Sequence, residues 1–131
     1  MIALVRTVEG VFELDIENED VLGEVEAAVD RELPELGLPR LIAAAASGAT
    51  VVALVDRRPP LLISGDGGAT WHEAGGGLPP GFDVAVDPTD PDRVLYAARN
   101  RLHLSTDGGR FWRSLAPELP DIEALEWSTG P

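Results

Sequence analysis

Two copies of one eight-residue pattern constrain this chain more than any other feature. Ser64-Gly65-Asp66-Gly67-Gly68-Ala69-Thr70-Trp71 and Ser105-Thr106-Asp107-Gly108-Gly109-Arg110-Phe111-Trp112 share the form Ser-x-Asp-Gly-Gly-x-[Thr/Phe]-Trp, and Asp66 and Asp107 stand 41 residues apart. The pattern suits a tight hairpin. Ser and Asp oxygens accept from the turn's own N–H groups, Gly-Gly supplies positive φ, and the Trp returns as an anchor beneath the turn. A repeat of about 40 to 45 residues made of short strands has the length of one four-stranded propeller blade.

Each copy follows three strand-like runs: Leu41 to Ala46, Thr50 to Val55 and Leu61 to Ile63 before the first, and Phe82 to Asp87, Arg93 to Ala98 and Leu102 to Leu104 before the second. A short fourth strand is expected after each Trp, with Leu78-Pro79 or Leu119-Pro120 marking the exit. A degraded third repeat lies at the N-terminus, where Ile2 to Arg6 and Val11 to Asp15 match the middle strands and Leu33-Pro34 the exit. Its innermost strand is missing there, and Ile122 to Trp127 supplies the same strand at the other end. The expected organisation is blade 1 from residues 1–40 plus a closing strand at 122–127, blade 2 from 41–80 and blade 3 from 81–121. Within residues 17–33, Val21, Val25, Val29 and Leu33 recur every four positions behind Asn18. That spacing favours a short helix in or replacing the fourth strand, a regular strand being the other reading.

The paired turns, together with the run Val86-Asp87-Pro88-Thr89-Asp90-Pro91-Asp92-Arg93-Val94-Leu95-Tyr96-Ala97-Ala98, resemble BNR/Asp-box repeat β-propellers. That superfamily includes sialidases, sortilin-like receptors and uncharacterised bacterial proteins. Residues 41–127 carry the resemblance strongly and residues 1–40 weakly. It implies an all-β propeller in which Ser64, Asp66, Gly68, Trp71, Ser105, Asp107, Gly109 and Trp112 build turns rather than bind ligand. Propellers close with about four to eight blades, and an unclosed arc leaves the faces of its end blades bare. The expected partner is therefore the chain itself, as a two-fold homodimer with a six-bladed ring and the C-terminal strand exchanged across the seam. A nine-bladed trimer, a piece of a longer polypeptide and a differently closed monomer are the other readings.

Composition narrows the partners. The 131 residues hold 23 acidic side chains against 10 arginines and no lysine, a formal charge of −13. Such a surface repels polyanions, which argues against nucleic acid. The absence of cysteine rules out disulfides and thiolate metal sites. The longest apolar run, Leu41 to Ala46, is strand-sized, so no membrane partner is expected. The first residues lack the pattern of a signal peptide, and the cytoplasm is the expected compartment, with secretion left open.

The resemblance further implies that the connections between second and third strands share a face with the blade exits, opposite the Asp-centred turns. This puts Arg57, Arg58, Arg99 and Arg101 on the presumed ligand face, with Arg6 near the equivalent turn. Guanidinium forks suit carboxylate or phosphate, so the sharper expectation is a small anionic ligand, and the blander one is surface pairing of each Arg with an Asp or Glu. Pro-rich turn chemistry accounts for the acidic run at 87–92, and His72 and His103 lack partners at ligand spacing, so neither a metal nor a cofactor is expected. Tyr96 sits in a strand run and reads as packed, and Trp127 reads as buried. The expected function is a non-enzymatic binding and assembly module. The alternative is a sialidase-like glycoside hydrolase, for which no acid or nucleophile can be assigned by motif.

Overall fold

The computed structural model describes residues 1–30 and 33–128, and among these it contains strands and turns but no helix. The N-terminal sheet has the order β12-β1-β2-β3, with β1 at Ile2–Thr7, β2 at Gly10–Asp15, β3 at Asp20–Val25 and β12 at Ile122–Trp127. The second sheet is β4 (Leu41–Ser47), β5 (Thr50–Val55), β6 (Leu61–Ser64) and β7 (His72–Ala74). The third is β8 (Asp83–Asp87), β9 (Asp90–Ala97), β10 (Leu102–Ser105) and β11 (Arg113–Ser114). The chain is thus an all-β, propeller-like array of three four-stranded antiparallel sheets.

The helix expected within 17–33 is not formed. Residues 20–25 are β3, which pairs with β2 through Leu14↔Val21 and Val11↔Val25. Two backbone positions exclude a helix: Glu19 has φ 54° and Gly23 has φ 147°. The recurrence every four residues was therefore accidental, and β-branched Val at 21 and 25 serves a pleated edge instead. Val29 leaves the sheet and is buried, whereas residues 31 and 32 of that expectation lie outside the described residues.

The order of the sheets in space follows from β8, which packs against β4 on one side and β12 on the other. Alternation along the middle sheet then splits its side chains between two cores. Ala85, Leu95 and Ala97 join Ala3, Val5, Leu14 and Trp127 of the N-terminal sheet. Val84, Val86, Val94 and Tyr96 join Val52, Leu54, Leu61 and Ile63 of the second sheet. A strand buried on both faces loses polar alternation, which is why Val94, Leu95, Tyr96 and Ala97 are all buried. Val94 and Leu95 each contribute about 1.5–3 kcal/mol of burial relative to exposure.

The end sheets differ from the middle one. In the second sheet, Ala53, Val55 and Leu62 are covered by Leu36, Leu38, Leu41 and Trp71, so part of the preceding connection lies on its outer face. In the N-terminal sheet β1 alternates, with Ala3, Val5 and Thr7 buried and Ile2, Leu4 and Arg6 only partly covered. Residues 26–40, which join β3 to β4, are far more numerous than the 75–82 and 115–121 connections between neighbouring blades, because the N-terminal and second sheets sit at opposite ends of the arc. Within the single chain, β12 pairs with β1 of the same chain, through Ala3↔Trp127, Leu4↔Glu126 and Val5↔Leu125. Two bonds lock β12 to the middle sheet: Asp83 Oδ2 accepts from Leu125 N at 2.8 Å, and Trp127 Nε1 donates to Ala85 O at 3.2 Å.

Candidate functional site

The two Asp-centred turns have matching bonds. Ser64 Oγ accepts from Gly68 N at 2.8 Å and donates to Asp66 Oδ1 at 2.6 Å, while Asp66 accepts from Thr70 N at 2.9 Å and Thr70 Oγ1 at 2.6 Å. In the later copy Ser105 Oγ accepts from Gly109 N at 2.8 Å and donates to Asp107 Oδ1 at 2.8 Å, and that oxygen also accepts from Arg110 N and Phe111 N. The second glycines, Gly68 and Gly109, have φ 97° and 92°, a region open to glycine at no steric cost. Trp112 Nε1 donates to Gly109 O at 3.0 Å, and Trp71 lies 3.4 Å from where a Cβ on Gly68 would stand. Bonds from Ser64 and then Thr70 hold the Asp66 carboxyl at a pKa of about 2, and donors led by Phe111 N lower that of Asp107. Each carboxylate binds donors of its own turn, Asp66 through both oxygens and Asp107 through Oδ1, which anchors the turn.

The turns are tied to the first hairpin of their blades, by Gly67 N to Ala49 O at 2.8 Å and Gly108 N to Asp92 O at 3.0 Å. The connections between second and third strands gather with the blade exits instead. Leu119 N donates to Asn100 O at 2.8 Å and Ile122 N to Arg99 O at 2.7 Å, and Arg57 and Arg58 line one cleft with Leu78, Pro79, Pro80 and Gly81.

The four expected ligand arginines differ in their partners. Arg99 pairs with Asp121 at 3.2 Å and Arg101 with Glu118 at 2.8 Å, both within the third blade. Arg57 lies 3.4 Å from Glu73, and among the described residues the Arg58 side chain has no hydrogen bond or ion pair. Arg6 is structural, with Nη1 donating to Val29 O at 2.7 Å and Nε 3.3 Å from Glu123. Arg40, which the sequence pattern did not single out, shares a hollow with Arg57 and Leu62.

A second concavity of about 250 Å³ lies along the inner strands, where Asp30, Asp83 and Glu126 line it with Ala44, Ala45 and Trp127. Asp83 is buried and accepts from Leu125 N and Val84 N, so its oxygens fasten backbone. A charged residue inside the apolar run at 82–86 was the one sequence signal that could have flagged it. The acidic run at 87–92 is turn chemistry: Asp87 Oδ1 accepts from Thr89 N and Oγ1, both at 2.8 Å. No group of His, Asp or Glu among the described residues has the arrangement of a metal site.

Tyr96 is fully buried, donates its hydroxyl to Pro79 O and stacks edge-on against Trp112 and His103. Burial pushes its phenol up to about 12, so it is no accessible nucleophile. Burial, then Arg101, lowers the pKa of His103. Trp127 is buried, with the Arg93 guanidinium 5.3 Å from its ring centre.

No family model matches the chain, and no curated protein matches it significantly. Among solved structures it is similar to the crystal structure of the GH74 enzyme of Niastella koreensis, at 26% identity and a TM-score of 0.50. The match covers 62% of this chain and 12% of that one, so the chain spans a small part of its neighbour's length. What the two share is the propeller-like stacking of four-stranded sheets.

Proposed function

We propose that the chain is a non-enzymatic binding and assembly module, a partial propeller that completes its ring with a second copy of itself. The observation that carries this reading is the contrast in burial between the sheets: both faces of the middle sheet are packed, whereas Ile2, Leu4 and Val11 of the N-terminal sheet are half-covered and Leu22 is 52% exposed. Two arcs of three blades make a six-bladed ring, and in that ring β12 of one copy can pair with β1 of the other through the same register it uses at home. A nine-bladed trimer satisfies the same faces. The arginine-bearing side, remote from the Asp-centred turns, is the surface for a small anionic ligand.

Light scattering tests assembly directly: twice the 13.9 kDa protomer mass supports the six-bladed ring, three times supports the trimer, and protomer mass alone overturns the reading. Because the chain has no cysteine, mixing Leu4→Cys with Glu126→Cys protein reads exchange separately, as a covalent dimer forms only if β1 of one copy meets β12 of another. The glycoside hydrolase alternative draws on the GH74 neighbour and on Asp30, Asp83 and Glu126 around the inner concavity. Against it, Asp83 is already committed to two backbone donors. Turnover of aryl glycosides that disappears in Glu126→Gln would favour the enzyme.

A further inference from the structure

The second and third blades are built to one plan, and they diverge at one place on the arginine-bearing side. In the third blade the 98–101 turn is zipped to the exit by Leu119 N to Asn100 O and Ile122 N to Arg99 O, with Asp121 and Glu118 neutralising Arg99 and Arg101. In the second blade the exit reads Leu78-Pro79-Pro80 where the third has Leu119-Pro120-Asp121. Pro80 brings no carboxylate in place of Asp121. Leu78 N, which aligns with the zipping Leu119 N, turns back to Gly75 O instead.

The consequence is a cleft of about 360 Å³ with an apolar floor of Ile42, Val55, Pro60 and Leu78 and a rim of Arg57 and Arg58. Three nearby backbone donors are spent, since Val55 N binds Pro60 O, Asp56 N binds Arg40 O and Arg57 N binds Val55 O. Asp56 is the one carboxylate in the lining. Arg57 is held only at 3.4 Å by Glu73, on an exposed surface where such a pair is weak and easily exchanged, and Arg58 has no partner among the described residues. The cleft therefore offers apolar walls beside cationic donors.

We propose that this cleft of the second blade binds a small amphipathic anion, a carboxylate or phosphate on an apolar body, with Arg57 and Arg58 taking the charged head and Ile42, Val55, Pro60 and Leu78 the body. The proposal rests on the anion-binding part of the reading above and is independent of ring assembly.

The test is calorimetric or NMR titration of the full chain with 3-phenylpropionate, phenyl phosphate and the neutral 3-phenylpropanamide. Saturable binding of either anion is expected, the tighter one identifying the head group, with the amide at least about tenfold weaker because charge-assisted bonds are lost. Arg58→Ala should weaken the anion about tenfold or more, Pro80→Asp should abolish binding by recreating the third blade's carboxylate, and Arg99→Ala should change nothing. Thermal melts confirm folding, and Arg58→Gln replaces the alanine variant if that one does not fold. Equal affinity for the amide, or unchanged binding in Arg58→Ala, overturns the cleft. Binding lost in Arg99→Ala but kept in Arg58→Ala also overturns it, while leaving an anion site on the same side in the third blade. No binding of either anion at about 10 mM removes both the cleft and the anionic-ligand reading, since even a millimolar site would register.

Discussion

Replacing Ser105 with alanine should destabilise the fold more than any other single-atom deletion in the turns. Ser105 has no solvent exposure, and its hydroxyl is the acceptor for Gly109 N at 2.8 Å in a buried position. Deletion leaves that N–H without an acceptor, which costs about 1–3 kcal/mol, and loses the bond to Asp107, worth roughly 0.5 kcal/mol where water can replace it. The total of about 1.5–3.5 kcal/mol corresponds to a fall in Tm of roughly 5–13 °C for a domain of this size. Urea unfolding of the wild type, Ser105→Ala and Ser64→Ala measures it, and Ser64→Ala should cost less because its Gly68 N bond is only partly buried. Carboxylate NMR titration gives an independent readout: Asp107 should move up toward its ordinary pKa, since Ser105 is one of the donors lowering it. A cost below about 0.5 kcal/mol would refute the assignment of Ser105 as the hub of the turn, as would a larger cost at Ser64.

Three further outcomes are expected. Gly109→Ala should cost about 2–4 kcal/mol by chemical denaturation, because a Cβ there would stand 2.6 Å from Ile63 Cδ1 at φ 92°, combining a clash between blades with a backbone strain. Glu17, lowered to about 2 first by the Met1 amine and then by Arg93, has a depressed folded pKa, so its contribution is present above its ordinary value of 4.5 and lost as pH falls toward 2. Glu17→Gln should therefore lower stability at neutral pH by under about 1 kcal/mol, since the pair is exposed, and the difference from wild type should vanish in acid, as compared by urea midpoints. Tyr96 is the sole tyrosine, so phenolate absorbance reads it alone: ionisation should appear near pH 12 in the folded protein, and stability should fall as pH rises from 10 to 12, because unfolding releases the proton that burial retains. A titration midpoint near 10 without unfolding would contradict its burial.

Much of the fold was legible because its signals are local. Gly-Gly after Asp specifies a turn whatever surrounds it, and strand runs such as residues 50–55 and 122–127 coincide with β5 and β12. Residues 20–25 misled because spacing every four positions reports a helix only when the backbone can continue, and Glu19 and Gly23 interrupt it. The site was less legible. Four arginines at matching places in the repeats look equivalent on paper, yet Arg99 and Arg101 meet Asp121 and Glu118, whereas Arg58 faces a proline exit.

The sequence by itself determined the repeat, its turn chemistry and the splitting of one blade between the two ends of the chain, because each depends on residues near one another or on a fixed period. Only the tertiary structure decided which blade lies between the other two, which faces stay half-covered, and which arginines keep a free guanidinium. Those properties depend on side chains brought together from distant segments, and a carboxylate 17 or 22 residues away neutralises an arginine only where the fold closes the gap between them.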